Sequence, residues 1–258
     1  MRNTPTADDA EVDLRAAAAT WNNPDESLES VNARIHDGVP LDKLSDRADR
    51  YVNDIFRLFP CIRLPQRPHC LEIGSGTGCI MEAVNRALSG AGHMPASIIG
   101  LDIAENMLAR AGQSLGDRPP FRFLHYDGVT VPLPDTSVDF IYSVAALQHV
   151  PKPFVYNLFF EIHRLLTPTG FATIHLLSFD QLPYEERTIS WRDEIRQQIS
   201  QGTGHWHHFY SRAELEAVLK FGTGFLHVDI QEEITNIWAC VHNQAAVFAP
   251  SGDPASPA

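Results

Sequence analysis

The stretch CLEIGSGTGCI, residues 70–80, decides how this chain folds. A short apolar run that contains Glu72 leads into glycines at positions 74, 76 and 78. Glycine has no Cβ and readily adopts positive φ angles, so a turn of this composition lets the backbone approach a ligand closely. The stretch therefore predicts a strand over 69–73, a ligand-binding turn, and a helix over 78–88.

The segments that follow repeat this alternation of short apolar runs and helical patterns. Such alternation is typical of a parallel sheet covered by helices on both faces. The predicted helices after the first are 105–114 and 154–166. The predicted strands after the first are 96–103, 121–127, 138–144 and 170–177, with two more near 225–230 and 235–241.

The remaining segments predict how the chain is divided. Residues 1–65 predict an N-terminal helical cap, in which Asn23 caps a helix that has Pro24 at its first position. Residues 66–245 form the core, with a polar lid insertion near 180–210 and a helix that starts at a capping box of Ser211 and Glu214. The Pro- and Ser-rich tail, 246–258, is predicted to be disordered.

Composition favours a small-molecule substrate. The chain of 258 residues has a formal net charge of −12 and no basic cluster, and nucleic-acid-binding proteins usually carry a basic surface. The acidic N-terminus has no secretory pattern, and no apolar run reaches membrane-spanning length, so we expect a cytoplasmic protein without a membrane partner. The four cysteines lack metal-binding spacing and predict buried free thiols and no metal site (Cys61, Cys70, Cys79 and Cys240).

Two ligands compete for the glycine turn. A dinucleotide-binding turn has the pattern G-x-G-x-x-G, which requires Gly or Ala at position 79, where this chain has Cys79. The carboxylate of Glu72 would repel a pyrophosphate and suits a cation. The Tyr-x-x-x-Lys pair of many nicotinamide enzymes is also absent from the sequence.

The segment from Glu72 to Gly78 resembles the first motif of class I S-adenosylmethionine-dependent methyltransferases. The resemblance continues in order through IIGLDIAENMLARA, HYDGVTVPLPDTSVDFIYSVAALQHV and EIHRLLTPTGFATI. It covers residues 68–178, and HFYSRAELEAVL further on is similar as well. The resemblance implies a Rossmann-like α/β fold, a doubly wound and mostly parallel sheet of about seven strands, with S-adenosylmethionine as cofactor.

The resemblance also implies roles for particular residues. Glu72 faces the cofactor's ammonium group, Asp102 accepts both ribose hydroxyls, and Asp127 accepts from the adenine amino group. Ser143 lies under the methionine part. The alternatives are a helix or turn cap for the two aspartates and a core position for Ser143. The implied cofactor-binding residues are Glu72, Gly74, Ser75, Gly76, Asp102, Ile103, Asp127, Gly128 and Ser143.

His149 is the candidate general base, because neutral imidazole can accept a proton from a substrate hydroxyl. Its alternative is a histidine that only orients a loop. The His205–His208 cluster is either a substrate-pocket or metal-binding segment or a lead-in to the helix at Ser211. Trp21 and Tyr51 are candidates for a lid over the cofactor or for ordinary core aromatics.

The resulting expectation is methyl transfer to an oxygen or nitrogen of a small molecule, such as a sugar, a lipid precursor or a secondary metabolite. Three alternatives remain open at this point. They are an NAD-dependent oxidoreductase on a similar fold, a non-catalytic S-adenosylmethionine-binding partner subunit, and an aminopropyl transferase. The sequence leaves the oligomeric state open.

Overall fold

A computed structural model describes residues 18–23, 27, 29–31, 39–116, 118–180, 196, 200, 207–233 and 235–243. The α-helices whose two ends both lie in these ranges are α1 Leu44–Leu58, α2 Cys79–Gly90, α3 Glu105–Leu115, α4 Lys152–Leu165 and α5 Arg212–Glu216. The strands are β1 His69–Ile73, β2 Ser97–Asp102, β3 Phe121–His125, β4 Val138–Ser143, β5 Leu166–Ser178, β6 Phe209–Tyr210, β7 His227–Glu233 and β8 Asn236–His242.

The strands form one sheet in the order β3-β2-β1-β4-β5-β8-β7, and the short β6 pairs with the end of β5. Strands β1 to β6 pair in parallel, whereas β8 is antiparallel to both β5 and β7. Seven strands lie on the main path, so the Rossmann-like, mostly parallel sheet predicted from the sequence is confirmed.

Strand β1 lies at the centre, between β2 and β4. The chain winds outward in one direction through β2 and β3, and then returns to the other side of β1 with β4. In open parallel sheets, ligands bind beyond the carboxyl ends of the strands at such a reversal. The topology therefore places the glycine turn, which follows β1, at the expected ligand-binding edge.

The central strands are buried on both faces of the sheet, which explains why they are apolar at successive positions. Leu71 and Ile141 belong to the core on the side of α4. Cys70 and Phe140, one residue earlier on the same strands, belong to the core on the side of α1 and α2. Helix α1 contributes an apolar face to the second core through Ala48, Val52 and Ile55.

The sequence predicted most elements to within two residues, but the start of β5 was wrong. We expected this strand over 170–177, and it begins at Leu166 because Leu166 pairs with Val138 before the register shifts. A Cβ on Gly170 would lie 3.0 Å from the Val138 carbonyl oxygen, so glycine accommodates the close approach there. The capping box of Ser211 and Glu214 is confirmed, and α5 continues as a π-helix over Ala217–Thr223.

Several predictions fall partly or wholly outside the described residues. Asn23 is described and is not helical, whereas Pro24 lies outside, as do the tail 246–258 and most of the lid 180–210. The division into cap, core, lid and tail stays a prediction. None of the helices within the described ranges is long and apolar enough to span a bilayer.

Candidate functional site

The glycine turn bends tightly against the end of β2. The backbone N–H groups of Gly74 and Ser75 both donate to the Leu101 carbonyl, over 2.8 and 3.1 Å. Gly74 has φ 74°, and a Cβ on it would lie 2.4 Å from the Cβ of Ala146. A side chain at position 74 would therefore both strain the backbone and collide with the loop after β4.

A cleft opens beside this turn, at the carboxyl edge of the parallel strands. The space beside the turn amounts to about 980 Å³, counting the part that is open to solvent. The cleft is lined mainly by apolar side chains and glycine-turn backbone. The predicted residues that line it are Glu72, Gly74, Ser75, Gly76, Asp102, Ile103, His149, Trp21 and Tyr51.

Glu72 is a buried acid at the base of the cleft, with 1% of its surface exposed. Burial raises the pKa of its carboxyl well above the ordinary value; the neighbouring Tyr142 hydroxyl opposes this rise, and the charge of Asp102 adds to it. Its Oε2 atom has no hydrogen-bond partner among the described residues. A cation in the cleft would satisfy this oxygen and stabilise the ionised form.

Asp102 ends β2 and connects the glycine turn to the start of α3. Its Oδ2 accepts from the Gly76 N–H and its Oδ1 from the Ala104 N–H, both over 2.9 Å. Burial raises the pKa of this carboxyl, and the two backbone donors oppose that rise. The side chain thus holds the turn in place and also lines the cleft.

His149 also lines the cleft, in a 3-10 turn over Leu147–His149 that follows β4. Its ring lies 5.5 Å from the Trp21 ring and 4.7 Å from the His207 ring, measured between centroids. The structure therefore brings one member of the predicted histidine cluster next to the candidate base. His205 and Trp206 lie outside the described residues.

The loop between β4 and His149 is held in an uncommon conformation. Ala145 has φ 53°, a value that side chains other than glycine rarely adopt. The Ala145 N–H donates to Nδ1 of His175 over 3.1 Å, so His175 is neutral and carries its proton on Nε2. Burial lowers the pKa of His175 to about 4, which keeps this acceptor available near neutral pH.

Three residues implied by the resemblance do not line the cleft. Asp127 is exposed, and its Oδ1 accepts from the Val129 and Thr130 N–H groups, as a turn cap does. Gly128, with φ 84°, forms part of that turn. The buried Ser143 hydroxyl donates to the Ile73 carbonyl over 2.8 Å and ties β4 to β1.

Sequence reasoning missed other residues at the site. Tyr126 and Met107 line the cleft, and His175 supports its loop from the neighbouring strand. Two features of the sequence could have pointed to them. Tyr126 is the first residue after β3, and His175 is a lone histidine in the apolar run GFATIHLL. Within the described ranges, no group of three His, Cys, Asp or Glu side chains is arranged to hold a metal ion.

A family model described as a methyltransferase domain matches residues 71–174, which span β1 to most of β5. Curated relatives carry several different methyltransferase names. Malonyl-[acyl-carrier protein] O-methyltransferase of Marinomonas is 28% identical over 55% of this chain, and Plasmodium falciparum phosphoethanolamine N-methyltransferase is 28% identical over 54%. A sterol 24-C-methyltransferase of Gibberella zeae is 25% identical over 74% of the chain.

The chain spans about half the length of these relatives, 52%, 48% and 47% respectively. Among solved structures, the putative methyltransferase in a Haloferax volcanii complex with the Trm112 methyltransferase activator superposes with a TM-score of 0.56. The match covers 85% of this chain and 100% of that one at 18% identity. A likeness at that identity supports the fold described above.

Proposed function

This chain carries a class I S-adenosylmethionine-dependent methyltransferase domain, and from that premise we propose that it methylates an oxygen or nitrogen atom of a small-molecule acceptor. The observation that carries the proposal is the cleft at the end of β1. There, a buried acid with an unpartnered oxygen, Glu72, lies beside a glycine turn that Asp102 holds in place.

The residues of the cleft fit the family's cofactor. S-adenosylmethionine, when bound, supplies a methyl group on a cationic sulfonium. The orphaned Oε2 of Glu72 suits the ammonium group, directly or through water, and Gly74 and Gly76 leave their backbone accessible. Each Asp102 oxygen accepts one backbone N–H and can accept a second hydrogen bond from a ribose hydroxyl, and Ser75 and Ile103 also line the cleft.

For Asp127, Gly128 and Ser143, the cofactor roles stay predictions that the cleft geometry supports less directly. The Oδ1 atom of Asp127 already caps a turn, so an adenine amino group would have to reach its other oxygen. The Ser143 hydroxyl is engaged with β1. We propose that these residues contribute mainly by shaping the strand ends around the cleft.

His149 is the proposed general base. It lines the same cleft as Glu72, and the loop that carries it is held through Ala145 by His175. In a methyl-transfer enzyme, the protein mainly positions the nucleophile, and a neutral imidazole can remove its proton. Trp21 and Tyr51, which line the opening, are proposed to exclude water from the site.

Neither the acceptor nor its nucleophilic atom follows from the family. The relatives are named for O-, N- and C-methylation, so the restriction to oxygen or nitrogen rests on the candidate base. The net charge of −12 supports a small-molecule acceptor over a nucleic acid. The cytoplasmic location stays a prediction from the sequence.

Calorimetric titration tests the cofactor assignment. We expect S-adenosylhomocysteine to bind the purified protein and NAD not to bind. NAD binding without S-adenosylhomocysteine binding would replace the proposal with the oxidoreductase alternative. Incubation with labelled S-adenosylmethionine and a panel of hydroxyl- and amine-bearing metabolites then distinguishes an enzyme from a partner subunit that only binds the cofactor.

The candidate base is tested by His149→Ala in the same assay. We expect turnover to fall by about 10²–10⁴ while S-adenosylhomocysteine affinity is unchanged, because the imidazole acts on the acceptor. The matched control is His93→Ala, since His93 follows α2 at the opposite edge of the sheet and its imidazole bonds to the Pro65 carbonyl there. Equal turnover in the two variants would show that His149 only orients its loop and is not the general base.

A further inference from the structure

A second cavity lies away from the cleft, between the segment that follows α1 and the β7–β8 hairpin. Cys61 and Arg63 form one wall, and Asp229, Cys240 and His242 form the other. Cys61 and Cys240 are 179 positions apart in sequence, and the fold brings their side chains to one cavity. None of these residues lines the proposed cofactor cleft.

The two thiols lie on the walls of one cavity, and each shifts the pKa of the other. Cys240 lowers the pKa of Cys61, and Cys61 raises that of Cys240. Cys240 is 1% exposed, in the middle of β8, whereas Cys61 is half-buried at the cavity wall and can be reached by a small molecule. The pair therefore has an outer thiol that meets solvent and an inner thiol directly behind it.

The surroundings of Cys61 favour its thiolate. The hydrogen bond from Cys240 lowers the pKa of Cys61 to about 7, burial and Asp229 oppose this, and the Arg63 charge supports it. By contrast, burial raises the pKa of Cys70 and raises that of Cys79 to about 12. Since the thiolate is the nucleophile in thiol chemistry, Cys61 is expected to be more reactive than Cys70 and Cys79.

We propose that Cys61 and Cys240 form a peroxide-reactive dithiol site, in which Cys61 is the attacking thiol and Cys240 the resolving thiol. Small hydroperoxides are the substrate class, because the half-buried Cys61 lines a cavity that a small neutral oxidant can enter, whereas Cys240 is only 1% exposed. The product is an intramolecular disulfide that joins the segment after α1 to β8.

The chemistry balances with one peroxide per pair. The Cys61 sulfur attacks one oxygen of H₂O₂, the O–O bond breaks, and the departing hydroxide takes up the thiol proton as water, which leaves a sulfenic acid. The Cys240 sulfur then attacks the Cys61 sulfur, the S–O bond breaks, and the second water leaves with the Cys240 proton. Two thiols are oxidised, and one H₂O₂ is reduced to two waters.

The test uses the full-length reduced protein, treated with one equivalent of H₂O₂, alkylated and analysed by mass spectrometry. We expect the loss of two hydrogen atoms and a cross-linked peptide pair containing Cys61 and Cys240, with Cys70 and Cys79 recovered as thiols. Cys61 recovered as a thiol, or a disulfide between any other cysteines, would overturn the proposal.

A matched pair of serine variants assigns the two roles. In Cys240→Ser, peroxide followed by dimedone should label Cys61, because the sulfenic acid forms and is not resolved. In Cys61→Ser, peroxide consumption should fall at least about tenfold, since the buried Cys240 is left without the outer thiol. Dimedone labelling on a different cysteine would contradict the assignment.

A third measurement uses the wild-type protein and so does not depend on whether the variants fold. Alkylation of Cys61 by iodoacetamide in the wild-type protein should reach half its maximal rate near pH 7, which follows its thiolate fraction. A half-maximum near the value of an ordinary thiol, about 8.5, would remove the basis for a reactive Cys61.

Discussion

At the scale of single residues, the site depends on a buried carboxyl group that destabilises the ligand-free protein when it is ionised. Glu72 is buried, its Oε2 has no partner, and its raised pKa reflects the loss of hydration. Because the unfolded chain ionises near the ordinary value of 4.5, it loses a proton that the folded protein retains. The contribution of Glu72 to stability is therefore present below this pH and is lost as pH rises toward the raised pKa.

Glu72→Gln tests this directly, because the amide has the same shape without the charge. We expect the variant to melt at a higher temperature than the wild type at pH 8 and to lose this advantage at pH 5, where the glutamate is protonated. We also expect weaker S-adenosylhomocysteine binding. Glu82→Gln is the control, as Glu82 is exposed on α2; a pH-independent difference for Glu72→Gln would contradict the account.

Asp102 is the second residue whose replacement tests the proposed cofactor contacts. In Asp102→Ala, the proposed ribose contacts are lost, and each charge-assisted hydrogen bond contributes about 1.5–3 kcal/mol, so affinity for S-adenosylhomocysteine should fall at least ~10-fold. Urea unfolding measured in parallel reports the loss of the bonds to Gly76 and Ala104. Asp135→Ala, at an exposed aspartate that pairs with Arg164, should leave the affinity unchanged, and an unchanged affinity in Asp102→Ala would refute the ribose role.

The sequence identified these two carboxylates but not Tyr126 or His175. Glu72 and Asp102 were found because each belongs to a motif with a fixed position relative to a strand end. Whether Tyr126 reaches the cleft depends on the residue at which β3 stops. The role of His175 depends on which strand lies beside β5 and on the conformation of Ala145, and neither is encoded locally.

At the scale of elements, the turn after β1 requires glycine for two reasons. In Gly74→Ala, the residue would keep φ 74° at a cost of roughly 1–2 kcal/mol, and its Cβ would press on Ala146 at 2.4 Å. We expect urea denaturation to show a destabilisation of at least about 1 kcal/mol and cofactor binding to be impaired.

The matched control for this turn is Gly90→Ala, at the end of α2. A Cβ there meets nothing within 4 Å, so the substitution should be neutral or stabilise by about 0.5–1 kcal/mol. If Gly74→Ala proved as stable as Gly90→Ala, the turn would have an alternative conformation, and the close approach to Ala146 would not be needed.

Most helices and strands were predictable because their apolar runs are bounded by turn residues. The first strand, β1, has the predicted bounds, and α3 differs by one residue. The early start of β5 was not predictable, because Leu166 becomes a strand residue only through its pairing with Val138. A pairing between distant segments leaves no mark in the local pattern of either segment.

At the scale of the whole molecule, ligand binding and stability are coupled. A ligand that binds only the folded protein stabilises it by about 2.7 kcal/mol when present at 100 times its Kd. For a chain of this size, each kcal/mol raises Tm by about 2–4 °C, so S-adenosylhomocysteine should raise Tm by roughly 5–10 °C. Calorimetric scans should show no comparable shift with NAD, and equal shifts would leave the cofactor assignment unsupported.

The strand order could not be derived from periodicity, because any order of buried parallel strands would satisfy the same apolar runs. The resemblance supplied the expectation of a Rossmann-like sheet, and the pairings of β1 with β2 and β4 then gave the reversal that creates the cleft. Local pattern thus accounts for the elements, whereas their arrangement needed a relationship to known proteins.

The antiparallel position of β8 matters for engineering new catalysts. Because β7 runs parallel to β5, the hairpin that joins β7 to β8 turns back at the cleft edge, where the Ser178 N–H donates to the Thr235 carbonyl. That bend belongs to neither the glycine turn nor the Asp102 loop. Libraries randomised at this bend would vary that edge of the sheet in directed evolution without replacing any residue that lines the cleft, so the proposed cofactor contacts would be retained.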